Sequence, residues 1–335
     1  MNAKRIACKA AKTLAVFLIS VLVLSLLVFV VSRLAPGDPL VSFYGERAEK
    51  LKPAERAAAE ARLGLDQPIL RQYALWLKGA LRGEFGISYK YKMDVLEVIR
   101  ARLPFTLCLG GIGFLLTFFL ALGLGVLCAM HEDKGLDRAL CKIGTVTSCI
   151  PEFWISLVLI LIFSVTLRIL PSSGAYSTGK AADIPDRILH LILPLTVVSL
   201  EHLWYYAYMV RNKIQEEVRA DYVLLAKSKG LGKKGILFGH CLRNVMPSYL
   251  SIMAIAVPHV LGGTFVVESV FSYPGIGALS YESARYHDYN LLMILCMISG
   301  ILVIFCNMLS QIINEHIDPR IRAREITDTS EVTDL

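Results

Sequence analysis

Two adjacent ionisable residues, Glu201 and His202, lie near the middle of a strongly apolar stretch of the sequence. An ionisable side chain in such a setting is costly, and it usually faces a cavity or a polar partner. The pair could therefore line a polar route through an apolar layer. The alternative is an internal hydrogen-bonded pair that never meets a solute.

Two further carboxylates occur in other apolar stretches. Glu152 follows Pro151, where a helix break would leave backbone groups that need partners, so a structural role is favoured over a place on the route. Glu268 lies towards the end of its stretch, and we expect it to make a hydrogen bond between helices or at a gate. His190 and His259 are interpreted as structural.

Segment 174–181 has the glycines and the lysine of a phosphate-binding loop, with Gly174, Gly179 and Lys180 at the required spacing. The motif also needs Ser or Thr after the lysine to hold Mg²⁺. Ala181 occupies that position and has no hydroxyl group. We therefore predict no nucleotide site here, so that any ATP has to be handled by a partner.

The eight cysteines do not indicate a disulfide framework or a zinc site. No two have the C-x-x-C spacing, and the longest polar segment, 35–102, contains none. Most lie in or near apolar stretches, where a free cysteine packs like a small hydrophobic residue. We predict no metal site and no cofactor.

Segment 211–246 is basic and has two glycines between two helix-forming stretches. The first stretch has four residues at the i, i+3, i+4 and i+7 positions of one helix face: Tyr222, Leu225, Ala226 and Lys229. Gly230 and Gly232 follow, and glycine accepts the positive φ of a turn that ends a helix. Residues 233–243 can form a second helix. A short amphipathic helix of this kind can dock in a groove of another protein.

The composition indicates which kind of protein positions these residues. Of the 335 residues, 55% are hydrophobic and 19% are charged, and the mean hydropathy is +0.55. The apolar residues are clustered in stretches that suit a lipid bilayer. This excludes a soluble enzyme, a disordered chain and a small disulfide-rich protein. The net charge of +7 comes from basic residues beside these stretches and does not indicate nucleic-acid binding.

Six apolar stretches predict an all-α, polytopic membrane protein with six transmembrane helices. The stretches are residues 13–32, 103–130, 143–169, 188–210, 247–271 and 291–313. The first is too long for the apolar core of a signal peptide, which has about 7–15 residues. Five glycines of the second favour close helix packing: Gly110, Gly111, Gly113, Gly123 and Gly125.

Basic residues predict the orientation of these helices. The loop after the fourth stretch is the most basic, with Arg211, Lys213, Arg219, Lys227, Lys229, Lys233, Lys234 and Arg243. Since basic short loops remain in the cytoplasm, both termini are predicted to be cytoplasmic. Segment 35–102 then lies outside the cell membrane.

The predicted organisation has an N-terminus with the first helix over 1–34 and an extracytoplasmic helical subdomain over 35–102. A transmembrane core over 103–318 contains the 211–246 loop, and a cytoplasmic tail covers 319–335. Within the subdomain, proline near the start and glycine past the end indicate a helix over 53–63. A second helix is predicted from residue 68 to about 81, and a third begins near Val95.

Several motifs resemble those of one membrane-protein family. Residues 221–223, 229–231 and 242–244 are similar to the EAA loop of B-type permease subunits of ATP-binding-cassette (ABC) importers for dipeptides, oligopeptides and nickel. Similar motifs occur at 33–39, 63–68, 83–89, 102–107, 262–277 and 318–322, so the resemblance covers about residues 9–322. Two departures are Leu224, at the first glutamate of the general motif, and Pro247, one residue early.

The resemblance implies a non-enzymatic pore subunit in a bacterial inner membrane. The implied partners are a second homologous permease in a heterodimer, two cytosolic ABC ATPases, an extracytoplasmic solute-binding protein and the lipid bilayer. The residues that would couple to the ATPase are Asp221, Tyr222, Leu225, Ala226, Lys229, Gly230 and Leu231. Glu201, His202, Glu152 and Glu268 are candidates for the translocation path. Peptides are favoured over nickel and metal–chelator complexes.

The alternative is an ion-gradient-driven secondary transporter or channel. For such a protein we would expect inverted repeats or helices broken at mid-membrane, and a cytosolic loop with a glycine turn would not be needed. An intramembrane enzyme would need a nucleophile paired with a base, or a set of metal ligands, and the apolar stretches contain no convincing set.

Overall fold

The computed structural model describes residues 3–35, 40, 44–63 and 66–317, and regular structure within these ranges is helical. The α-helices are α1 (Ala3–Leu34), α2 (Pro53–Leu63), α3 (Ile69–Ala80), α4 (Val95–Met130), α5 (Gly135–Ser148), α6 (Glu152–Leu159), α7 (Ile184–Val218), α8 (Asp221–Ser228), α9 (Lys233–Ile236), α10 (Leu242–Val270), α11 (Ile276–Arg285) and α12 (Tyr289–Ile317). The predicted tail over 319–335 lies outside the described residues.

Four single helices are long and apolar enough to cross a membrane: Ala11–Leu34, Val95–Met130, Ile184–Val218 and Tyr289–Ile313. Two bent pairs would add one span each: Gly135–Ser148 with Glu152–Thr166, and Lys233–Val260 with Thr264–Val270. The all-α prediction is confirmed. The described residues hold four to six candidate spans, and six are reached when each bent pair counts as one.

The third apolar stretch does not form one straight helix. The axes of its two parts, α5 and the helix Glu152–Thr166, differ by 99°. Pro151 precedes the second part, and a proline both lacks a backbone N–H and disfavours helical φ and ψ at the residue before it. The predicted break is therefore confirmed, whereas a continuous helix over 143–169 is not observed.

The chain divides into two compact units, of which the first comprises residues 1–106 and 272–305. Its core contains Val95, Leu279 and Leu291. The rings of Tyr73 and Trp76 on α3 lie 5.5 and 5.7 Å from the ring of Phe29 on α1. On α1, Leu24 lies so close to Gly300 of α12 that a Cβ on this glycine would collide with it. The predicted helices over 53–63 and 68–81 are confirmed as α2 and α3.

Among the described residues, the second unit comprises 107–271 and 306–317. Its core is centred on α4, α7 and α10, with Phe118, Tyr206, Val210, Cys241 and Tyr249 among the buried residues. The Tyr249 hydroxyl donates a hydrogen bond to the carbonyl oxygen of Phe118.

Two glycines of α4 permit close packing in this unit. A Cβ on Gly125 would lie 2.6 Å from Cβ of Val210, and one on Gly113 would lie 2.9 Å from Cγ1 of Val198. No such neighbour lies within 4 Å of Gly123. The packing interpretation is thus confirmed for Gly113 and Gly125, which let α4 approach α7.

Candidate functional site

The segment between α7 and α10 contains the predicted helix and glycine turn. Helix α8 ends at Ser228, and Gly230 follows with φ of 79°. The N–H of Leu231 donates to the carbonyl of Ala226 at 3.2 Å, and the N–H of Gly230 donates to the carbonyl of Lys227 at 2.9 Å. This pair of hydrogen bonds is the Schellman arrangement that caps helix C-termini. The predicted left-handed turn at Gly230 is confirmed.

The two glycines of the turn have different backbone requirements. A Cβ on either would meet no atom within 4 Å, so steric room does not distinguish them. Gly230 has the left-handed φ that disfavours side chains. Gly232 has φ of −71° and ψ of 157°, an extended conformation open to any residue, and it directly precedes α9. Of these two positions, only 230 has a backbone conformation that favours glycine.

The second part of the segment, residues 233–243, is helical, as the sequence allows. Helix α9, the π-helical turn Leu237–Cys241 and α10 follow one another without a loop. Pro247 lies inside α10 and cannot donate to the carbonyl four residues earlier. The π-helical turn ends six residues before Pro247, and such a turn shifts the backbone hydrogen-bond pattern of a helix by one residue. The segment therefore continues directly into the candidate fifth span.

A hydrogen-bonded triad anchors α8 to the helices on both sides. Oε2 of Glu217 on α7 accepts hydrogen bonds from the Tyr222 hydroxyl at 2.5 Å and from Nδ2 of Asn244 on α10 at 3.3 Å. Burial, followed by the hydrogen bond to Glu217, raises the pKa of Tyr222 above its ordinary value, so its hydroxyl stays protonated and can donate. The sequence analysis did not identify Glu217 or assign a role to Asn244.

The predicted coupling residues occupy two faces of α8 and its turn. Ala226 is buried in the core of the second unit, and Tyr222 is half-buried against it. Asp221, Leu225, Lys229 and Leu231 are exposed. Two further apolar side chains of the segment, those of Leu224 and Phe238, are also exposed. The four exposed apolar residues are here called the coupling patch: Leu224, Leu225, Leu231 and Phe238, which are 62%, 57%, 44% and 53% exposed.

Three of the four predicted path residues lie together in the second unit. Glu152 and Glu201 lie close enough to interact electrostatically, and Oε2 of Glu152 is buried without a hydrogen-bond partner among the described residues. Nε2 of His202 lies 3.8 Å from Oε2 of Glu201. Glu201 is the more exposed of that pair and borders a largely apolar cavity of about 490 Å³. Glu268 is fully buried and accepts a hydrogen bond from Thr264 at 3.2 Å, so it does not line an open cavity here.

In the loop that resembles a phosphate-binding motif, backbone N–H groups donate hydrogen bonds to acceptors in the same unit of the protein. The N–H and the hydroxyl of Ser177 both donate to the carboxylate of Asp186, at 2.6 and 2.7 Å. The N–H of Gly174 donates to the carbonyl of Phe271 at 2.8 Å. Helix α7 begins at Ile184, so no helix N-terminus directly follows Lys180. Across the part of the chain that the structure describes, no group of three His, Cys, Asp or Glu side chains could hold a metal ion.

Comparison with known families matches most of the chain. Residues 121–323 match the family model of the binding-protein-dependent transport system inner membrane component, and residues 9–110 match the N-terminal model of such membrane components. The chain is 33% identical to the oligopeptide transport system permease protein AppB of Bacillus subtilis over 89% of this chain and 94% of AppB. It is also 33% identical to a probable peptide ABC transporter permease of Sinorhizobium fredii, over 88% of this chain and 93% of the relative.

A solved structure shares the fold. The structure of inward-facing conformations of the MetNI methionine ABC transporter contains a chain that superposes with a TM-score of 0.54 at 17% identity. The match covers 67% of this chain and 97% of that chain. With two family models and relatives that match along nearly their whole length, the chain belongs to the binding-protein-dependent transport system inner membrane components, the non-catalytic, multi-pass permease subunits of ABC transporters.

Proposed function

We propose that this permease forms half of the pore of an ABC importer for peptides, with a second homologous permease as the other half. The peptide substrate is supported by the names of the relatives from Bacillus subtilis and Sinorhizobium fredii. Both termini and segment 211–246 face the cytosol, where two ABC ATPases bind. Segment 35–102 faces outwards, where a solute-binding protein delivers the substrate.

One observation carries the coupling part of the proposal: α8 exposes Leu224 and Leu225, while Tyr222 and Ala226 anchor it to the rest of the unit. The coupling patch presents leucine and phenylalanine side chains to solvent, and a short helix of this kind fits a groove of a partner. The hydrogen bonds from Tyr222 and Asn244 to Glu217 join α8 to α7 and α10. Movement of α8 by an ATPase would therefore move two candidate spans.

The coupling residues then have distinct roles. Leu225, Lys229 and Leu231 contact the ATPase, and the Asp221 carboxylate in the first turn of α8 favours the helix through its dipole. Tyr222 and Ala226 are positioning residues, because they face the core rather than solvent. Gly230 ends the helix and directs Leu231 back towards the same surface.

The test is co-purification of the ATPase subunits with the permease and ATP-dependent peptide uptake by the reconstituted complex. Leu225→Asp places a charge in the coupling patch, and we expect loss of the ATPase subunits and of uptake. Leu70→Asp on α3 is the matched control, since Leu70 is also an exposed leucine, at 72%. A Leu225→Asp complex that keeps its ATPases and its uptake would contradict the proposal.

We further propose that Glu201 and His202, supported by Glu152, contact the peptide on its way through the pore. Their proximity to one another and the position of Glu201 at the edge of a cavity support this role. Uptake measured with a panel of peptides should show changed selectivity or KM in the variant Glu201→Gln with His202→Ala. Unchanged selectivity and KM would leave the group with a structural role only. Glu268 is proposed as a buried hydrogen-bonding residue near a gate.

The bent helix at residues 149–151 is the feature shared with the alternative, a secondary transporter with broken helices. Membership of a binding-protein-dependent family favours ATP as the energy source. Vanadate-sensitive uptake that persists without an ion gradient supports the importer, and gradient-driven uptake without ATP supports the alternative.

A further inference from the structure

The first turn of α5 is bound to the last part of α7 by a buried ion pair. Nε and Nη2 of Arg211 donate to Oδ1 and Oδ2 of Asp137, both at 2.7 Å. The side chains are 14% and 2% exposed, respectively. A bidentate pair of this kind fixes the relative orientation of the two side chains as well as their distance.

The surrounding residues hold both members of the pair in place. Oδ2 of Asp137 also accepts the N–H of Asp133, which has φ of 58° in the turn between α4 and α5. Nε and Nη2 of Arg138 donate to the carbonyl of Asp133 at 3.0 and 2.7 Å. On α7, Nη1 of Arg211 donates to Gln215 at 3.2 Å. The turn and the end of α7 are therefore joined by a hydrogen-bonded network.

The pair lies close to the anchor of the coupling helix. Arg211 and Glu217 are on the same helix, six residues or about 9 Å apart along the axis. Glu217 accepts the hydrogen bond from Tyr222 of α8. The coupling patch is thus connected to Asp137 on α5 in three steps: the hydrogen bond from α8 to Glu217, the backbone of α7 from Glu217 to Arg211, and the ion pair.

We propose that the Asp137–Arg211 pair is a joint through which movement of α8 is passed to α5, so that the bent pair of α5 and α6 moves with the coupling segment. The proposal rests on the proposed function, since it needs an ATPase that moves α8. Asp137 and Arg211 are positioning residues and touch neither ATP nor substrate.

A second ion pair between the same two parts of the chain supplies a control. Nη2 of Arg219 lies 2.8 Å from Oε1 of Glu132, with the two side chains 73% and 32% exposed. Exposed pairs contribute little because water and salt screen them. Removing this pair alters the same interface without altering the buried joint.

The experiment measures ATP hydrolysed per peptide transported by the complete importer in proteoliposomes. Removing one buried charge can prevent folding, whereas apolar replacement of both members is often tolerated, so the main variant is Asp137→Leu with Arg211→Met. Structural damage lowers hydrolysis and uptake together and leaves their ratio unchanged. Loss of the joint raises the ratio, by at least about twofold. Glu132→Gln with Arg219→Gln should keep the wild-type ratio.

A wild-type ratio of ATP hydrolysed to peptide transported in Asp137→Leu with Arg211→Met overturns the proposal that the ion pair is a joint, and it leaves the proposed function intact. Absence of ATP-driven uptake by the wild-type complex overturns the proposed function instead. Should the apolar variant fail to assemble, Asp137→Asn with Arg211→Gln decides in its place, because it leaves no unpaired buried charge and still removes the bidentate contact. A raised ratio in that variant supports the joint, and an unchanged ratio overturns it.

Discussion

At the residue scale, neighbouring residues in this protein have different tasks according to backbone conformation and contacts. Gly230 and Gly232 are separated by one residue, yet only Gly230 has a left-handed φ. Leu224 and Ala226 lie on one short helix, yet the former is exposed and the latter is buried. Substitutions at neighbouring positions can therefore test backbone geometry and partner contact separately.

Gly230→Ala is expected to weaken the end of α8. A Cβ in the left-handed region costs about 1–2 kcal/mol, and the branched side chain of Gly230→Val should cost more. Hydrogen exchange of residues 226–231 should become faster, and ATP hydrolysis should become partly uncoupled from uptake. Gly232→Ala is the control with no φ constraint, and equal exchange rates in the two alanine variants would refute the prediction.

Local backbone chemistry explains which site residues the sequence could predict. Gly230 could be predicted because glycine at the end of a helix commonly adopts the left-handed conformation that terminates the helix. The triad of Glu217, Tyr222 and Asn244 depends on two helices meeting, and Asp137 is 74 residues from Arg211. Pairings of this kind are set by tertiary packing and leave no periodic pattern in one sequence.

At the element scale, helix boundaries were predictable where proline and glycine set them, as at α2 and α3. The break at Pro151 was predictable for the same reason. Its 99° angle was not, since the direction after a break is decided by what the second helix packs against. The π-helical turn between α9 and α10 was not predicted, because such a turn has no clear sequence pattern.

Gly125→Ala is expected to separate α4 from α7. The added Cβ would lie 2.6 Å from Cβ of Val210, and overpacking of this type costs about 1–3 kcal/mol. The thermal unfolding midpoint of the purified permease in detergent should fall. Gly123→Ala, on the same helix with no neighbour within 4 Å, should leave it nearly unchanged. Equal unfolding midpoints for the two variants would show that α4 accommodates the added Cβ at position 125 without loss of stability.

At the scale of the whole molecule, the proposed orientation makes α3 and the coupling patch face opposite sides of the membrane. Basic residues in the short loops support this orientation, and the hydrophobic effect supports the number of spans without fixing their direction. Function at this scale therefore depends on which compartment each surface reaches.

Labelling from one side measures the orientation. In a cysteine-depleted permease, Leu81→Cys should react with an impermeant maleimide in intact spheroplasts, since Leu81 is 82% exposed. Leu231→Cys should react only after the membrane is opened. Labelling of Leu231→Cys from the outside would place the coupling patch beyond the reach of any cytosolic ATPase.

The close fit of Leu24 against Gly300 has a consequence for biogenesis. The ribosome synthesises α1 before α12, so α1 enters the lipid before the surface of α12 that completes its packing exists. Helix α1 can remain in the lipid without α12, because only 11% of its most apolar window is buried in the complete fold. Nascent chains truncated before α12 would keep a loosely held first helix and become substrates for membrane quality-control proteases.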